Sequence, residues 1–216
     1  MGAACCEHDH THDNGRGGAP DPLYRRVLWA ALAINATMFV VEIGAGLAAG
    51  SVSLQADALD FLGDAGNYAI SLFVLGMAMS YRARAAFFKG ATMGILGLYV
   101  LGATSYHALA GTLPSAVAMG GVGFAALLAN LAVFAMLWRF RAGDSNMRSV
   151  WLCTRNDVIG NIAVLLAAFG VFGTAAAWPD LIVAAIMAVL GVQGAIAVMR
   201  HAREDLNLAK SPLAAE

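Results

Sequence analysis

Asp60 and Asp64 stand four residues apart in Gln55-Ala56-Asp57-Ala58-Leu59-Asp60-Phe61-Leu62-Gly63-Asp64, a segment that is otherwise largely apolar. On a helix that spacing stacks the two carboxylates on one face. A carboxylate near a bilayer centre costs roughly 2.5–3.5 kcal/mol on insertion scales, and two on one face also repel each other. A divalent cation offsets both effects, with protons as its competitors. The spacing recurs in Cys153-Thr154-Arg155-Asn156-Asp157-Val158-Ile159-Gly160-Asn161, where Cys153 and Asp157 are four apart. Two such pairs on facing helices supply four ligands to one ion, the number a tetrahedral site takes. The candidate metal ligands are therefore Asp60, Asp64, Cys153 and Asp157. A buried cysteine often does no more than pack, but a carboxylate one turn along favours the ligand reading.

Other polar residues interrupt the apolar segments. Asn35 and Glu42 are seven apart and share a helix face. Each either lines the ion path or supports the ligands from behind through hydrogen bonds. Asp57 lies one turn before Asp60, near a helix start, where the dipole favours a solvated carboxylate; the alternative is a vestibule on the path. Asn130 and Gln193 read as interhelical hydrogen-bonding groups, while Asn130 and Asn161 are also candidates for lining the path or supporting the ligands. His107, beside Tyr106 at a helix end, reads as interfacial. Arg155 is two residues from both Cys153 and Asp157 and points to another face; it either snorkels to the surface or offsets an acid in the empty state.

These residues need a membrane bundle to hold them. Of the 216 residues, 60% are hydrophobic and 12% charged, against about 25% charged in soluble domains. The mean hydropathy is +0.69. Six apolar stretches, Val27–Ala49, Leu54–Met79, Gly90–Ala110, Pro114–Trp138, Val150–Gly173 and Trp178–Met199, are each near the roughly 20 residues of a spanning helix. The expected fold is an all-α membrane protein of six transmembrane helices, spanning residues 23–200, with no strand signal and no linker. Apart from Arg155, Lys and Arg occur before the first helix, in alternate connections and after the last, and the other three connections carry none, so both termini are expected to be cytoplasmic. Asp64 then lies about 16 residues, roughly 24 Å, from the inner end of its helix, and Asp157 about 7–12 residues, roughly 10–18 Å, from its own.

Residues 1–22 form a polar tail, read as disordered and without the pattern of a cleavable signal peptide. It holds Cys5, Cys6, His8, His10 and His12, a density of thiols and imidazoles that suits metal capture; a solvated tail without a defined site is the competing reading. Three cysteines are too few and too scattered for a disulfide framework. Residues 201–216 form a short second tail. A net charge of −1 implies no nucleic-acid surface.

The order Asn35, Glu42, Gly46, Ser51, Ala56-Asp57-Ala58-Leu59-Asp60-Phe61-Leu62-Gly63-Asp64, followed by Cys153, Asp157 and Gly160-Asn161, resembles the cation diffusion facilitators over about residues 25–200. That family carries His or Asp, three residues, then Asp on its second helix, and His, three residues, then Asp on its fifth. The resemblance implies a divalent transition-metal exporter driven by proton antiport, not an enzyme. It implies metal ions and protons as partners, the lipid bilayer as surroundings, and a homodimer by analogy alone. No cofactor is implied, since the metal is cargo. The expected location is a bacterial inner membrane. Two departures stand out. Cys153 replaces the usual His, and a thiolate favours Zn2+ or Cd2+ over Mg2+, Ca2+ or Mn2+. The family's cytoplasmic metal-sensing domain is expected to be missing, and Tyr81–Lys89 offers no His or Asp for an accessory site. Two other classes compete. A membrane metal buffer or sensor working through its tail would depend on residues 1–20. An intramembrane hydrolase with an Asp60/Asp64 dyad leaves Cys153 and Asp157 unexplained.

Overall fold

A computed structural model describes residues 22–73, 79–140 and 145–208; the side chains of 79, 82, 145–153, 156 and 208 are outside the description. It contains six α-helices: α1 Pro22–Ala49, α2 Val52–Phe73, α3 Met79–Ala110, α4 Ala116–Leu137, α5 Ser145–Thr174 and α6 Trp178–Leu208, with a short 3-10 turn at Trp138–Phe140. No strand occurs among the described residues. The all-α membrane architecture expected from the apolar segments is present. Several boundaries shift. The expected connection Tyr81–Lys89 is helical, continuous with α3, and His201–Leu208 extend α6 rather than opening a tail. The metal-capture candidates Cys5, Cys6, His8, His10 and His12 lie outside the described residues.

Among the described residues, five helices are long and apolar enough to cross a membrane, and α2 as described is not one of them. Its composition, with Asp57, Asp60 and Asp64 in 22 residues, follows from its position. α2 touches α1, α3, α5 and α6, while α3 pairs with α6 and α4 with α5 and α1. Ser51 through Leu59 are all buried. Among the described residues, large apolar side chains stand exposed along α1, α3, α4, α5 and α6, for example Val40, Ile95, Val117, Phe169 and Ile186, whereas α2 exposes only Phe73 at its end. An outward apolar surface on this scale is what lipid, not water, tolerates. α2 is thus a polar helix inside an apolar sheath.

Two close approaches make that burial feasible. Gly46 on α1 faces α2, where an added Cβ would lie 2.9 Å from Gln55 Cγ and 3.1 Å from its backbone nitrogen. On α3, Gly90 and Gly97 lie against Ala195, Met199 and Val192 of α6, the small-residue packing that lets membrane helices come together. Gly44, by contrast, has nothing nearby. Gly50 ends the helix instead. Its φ is 64°, and Gly50 N–H donates to Leu47 O (3.4 Å) while Ser51 N–H donates to Gly46 O (3.0 Å). This left-handed cap reverses the chain directly into α2.

The start of α2 is fixed from a distant part of the chain. Asp180, in the first turn of α6 and 1% exposed, faces the exposed donors of the α2 N-terminus. Its oxygens accept from Ser51 Oγ (2.7 Å), Val52 N–H (2.9 Å), Ser53 N–H (3.1 Å) and Ser53 Oγ (2.6 Å). A carboxyl group at this position satisfies donors that an isolated helix end leaves open. Asp180→Ala is expected to lower stability by on the order of 2–3 kcal/mol, with Asp180→Asn less severe. Thermal unfolding in detergent measures this; an unchanged melting temperature for the alanine variant would show that the bond network is not structural.

Candidate metal site

α2 and α5 run antiparallel, and their facing side chains pair in sequence. At one end Asn161 Nδ2 donates to Asp57 Oδ1 at 3.4 Å. Next along the interface, Asp60 points at Gly160, where an added Cβ would be 3.9 Å from Asp60 Oδ2. The Asp64 and Asp157 carboxyl groups then meet across the interface. Tyr68 OH donates to Asp64 Oδ2 at 3.3 Å and is 3.1 Å from Thr154 Oγ1. The offset in depth between Asp64 and Asp157 implied by the apolar segments is therefore absent.

The acidic groups differ in environment. Asp64 is buried, while Asp60 and Asp157 are half-buried. Gly160 stands opposite Asp60 with room for a single Cβ in ordinary contact and nothing larger. Cys153 stands one turn before Asp157 on α5, with its side chain outside the described set. Among the described residues no three His, Cys, Asp or Glu side chains converge on one metal position. The described portion thus brings together three of the four candidate ligands, Asp60, Asp64 and Asp157, along one interface without closing them into a cage.

Of the remaining polar candidates, Glu42 and Asn161 lie at the Asp57 end. Asp57 is completely buried, not solvated, because the α1–α2 turn and the Asp180 network enclose the first turns of α2. Glu42 on α1 is equally buried and its carboxyl group faces that of Asp57. Both Glu42 oxygens and Asp57 Oδ2 lack an ordinary hydrogen bond among the described residues. Asn161 Nδ2 also donates to Asp157 O at 2.9 Å, and its Oδ1 is unpartnered. Asn35 bonds Ala31 O of its own helix at 2.8 Å, and its Oδ1 is likewise open. Asn130 is buried, and its Oδ1 makes no interhelical bond among the described residues, contrary to the sequence expectation. Buried polar oxygens are normally paired, so this concentration on α1, α2, α4 and α5 marks a polar interior rather than an apolar core.

Other residues fall away from the site. Gln193 is exposed on α6 rather than hydrogen-bonded between helices, and Arg155 is exposed. His107 bonds Thr112 at the end of α3, consistent with an interfacial position. Sequence reasoning passed over Tyr68, Thr154 and Asp180. Tyr68 had a legible signal, being four residues beyond Asp64 on the same face; Asp180 had none, since its partners are more than 120 residues away.

Residues 28–207 match the cation efflux transmembrane domain. The metal cation efflux system protein CzcD of Cupriavidus metallidurans is 24% identical over 87% of this chain and 60% of its own length. The zinc transporter ZitB of Pectobacterium atrosepticum is 26% identical over 92% of this chain and 64% of its own length. The vacuolar zinc transporter TgZnT of Toxoplasma gondii is 32% identical over 49% of this chain and 13% of its own length. The chain thus spans about three-fifths of the length of the two bacterial relatives. With the matched domain covering all six helices and an interior built around α2 and α5, the chain belongs to the cation diffusion facilitator family.

Proposed function

We propose that the chain exports a divalent transition metal, Zn2+ or Cd2+, in exchange for protons. The observation that carries this reading is the meeting of Asp64 with Asp157 across α2 and α5, with Asp60 beside Gly160. The names of the bacterial relatives agree with metal cation efflux. Asp60, Asp64, Asp157 and Cys153 are the proposed ligands. One thiolate among carboxylates gives a site softer than an all-oxygen one, suited to Zn2+ or Cd2+. Glu42, Asp57, Asn35, Asn130 and Asn161 supply the polar surroundings that an ion crosses or a proton occupies.

In this mechanism metal enters from the cytoplasm and displaces protons from the ligands, because a ligand must be deprotonated to bind. The helices then rock so that the site opens outward. Protons arriving there compete for the same oxygens and sulfur and release the metal. Metal-bound and protonated forms exclude each other, and that exclusion is the coupling. Tyr68 and Thr154 hold Asp64 in position from the Ser145 end of α5.

The test is Zn2+ flux in proteoliposomes against an imposed pH gradient. Wild type is expected to transport, and Asp64→Ala and Asp157→Ala to lose transport by at least about tenfold, the effect of a 1.4 kcal/mol change. Deleting residues 1–20 is expected to leave transport in place; loss on deletion with Asp64→Ala still active would favour a tail-based metal buffer instead. A second prediction uses the space at Gly160. Gly160→Ala fits, its Cβ in ordinary contact with Asp60 and with Met187 Cε at 3.8 Å. Gly160→Leu overfills the same space, a change that typically costs about 1–3 kcal/mol and moves neighbours. The alanine variant is expected to transport as wild type and the leucine variant to fail; equal transport by both would detach Asp60 from the site.

A further inference from the structure

Lys89 has no part in the scheme above, and its placement is unusual. The sequence puts it in a connection with the other cytoplasmic cations, but it lies on α3, within a membrane-spanning segment. There it is half-buried and turned toward α2. Its methylene stem crosses Gly66, where an added Cβ would be 3.1 Å from Lys89 Cδ and 3.2 Å from Cγ. One turn along α3, Met93 occupies the matching space over Gly63. The ammonium group donates to Asn67 Oδ1. Asn67 is three residues beyond Asp64, so its side chain borders the acidic face of α2. Lys89 is close enough to Asp64 for the two charges to interact.

A lysine that merely snorkelled would extend its ammonium group toward water. Here it is fixed to an amide inside the bundle, at the edge of the proposed ion site and on the side of Asp64 away from Asp57. We propose that Lys89 is a resident counter-cation: held across Gly66 and anchored by Asn67, it offsets the Asp64 charge when the site is empty and opposes a divalent ion when it is filled. This inference rests on the reading that Asp60 and Asp64 hold the transported ion. Lys89 then acts as a positioning residue that never touches the metal. It keeps the empty site from being stranded as an uncompensated acidic pair, and it keeps the filled site from binding so tightly that release limits turnover.

The test measures KM and kcat for Zn2+ transport by the full chain in proteoliposomes. Lys89→Gln removes the charge and is expected to lower KM by at least about threefold, because a like charge near a divalent ion opposes its binding. Its kcat is expected to fall, since release slows. Lys89→Arg keeps the charge and is expected to retain both parameters within about twofold. A Lys89→Gln variant with unchanged or raised KM would overturn the proposal while leaving the transport reading intact. Loss of transport in both variants would assign the lysine to folding and overturn it as well. Absence of Zn2+ transport by the wild type would remove both readings together.

Discussion

The structure depends on keeping α2 out of contact with lipid. Asp57, Asp60 and Asp64 on one helix cannot face hydrocarbon without a prohibitive cost, so the other helices must surround it. The details follow from that requirement. Gly46 lets α1 approach closely, Gly63 and Gly66 admit Met93 and Lys89 from α3, and Gly160 makes space opposite Asp60 on α5. At its start, the helix is fastened by Asp180 of α6, which joins the starts of α2 and α6 through four hydrogen bonds. Helix-to-helix association in a membrane lacks the hydrophobic drive available in water, and it relies on close packing and hydrogen bonds. Both devices are concentrated on α2.

The same arrangement produces a polar interior of two kinds. Around Asp57, Glu42 and Asn161 the carboxyl and amide oxygens are sealed from solvent, and several lack partners among the described residues. Around Asp60, Asp64 and Asp157 the groups are less enclosed and closer to the Ser145 end of α5. Carboxyl groups that share one interface repel one another when ionised and gain from any cation that enters between them. In the proposed mechanism each state of the cycle offsets that repulsion differently: with metal, with protons, or in part with the neighbouring Lys89.

Much of this was legible from residue types and spacing. Pairs four apart, Asp60/Asp64 and Cys153/Asp157, identified the two helices that face each other, because helical periodicity converts spacing directly into a shared face. Apolar length identified the helices, with α2 as the informative misfit. What spacing could not supply was depth and enclosure. Asp57 looked like a solvated helix start because burial at that point comes from Asp180 and the α1–α2 turn, which no local pattern encodes. Asn130 looked like half of an interhelical pair, but a lone amide does not reveal whether its partner exists. Lys89 looked like a loop cation because positive charge near an apolar boundary reads as topology; only the Gly66 groove shows why its stem lies inward. The family match, over residues 28–207, agrees with the resemblance drawn from these motifs.

The central claim is that the transported ion sits between α2 and α5. Anomalous X-ray diffraction at the zinc edge from Zn2+-loaded protein locates the ion directly. The account predicts a peak within bonding distance of Asp64 and Asp157, beside Asp60 and Gly160, with Zn–O contacts near 2.0–2.2 Å and a Zn–S contact near 2.3 Å to Cys153. A peak elsewhere in the bundle, or at residues 1–22 alone, would contradict it.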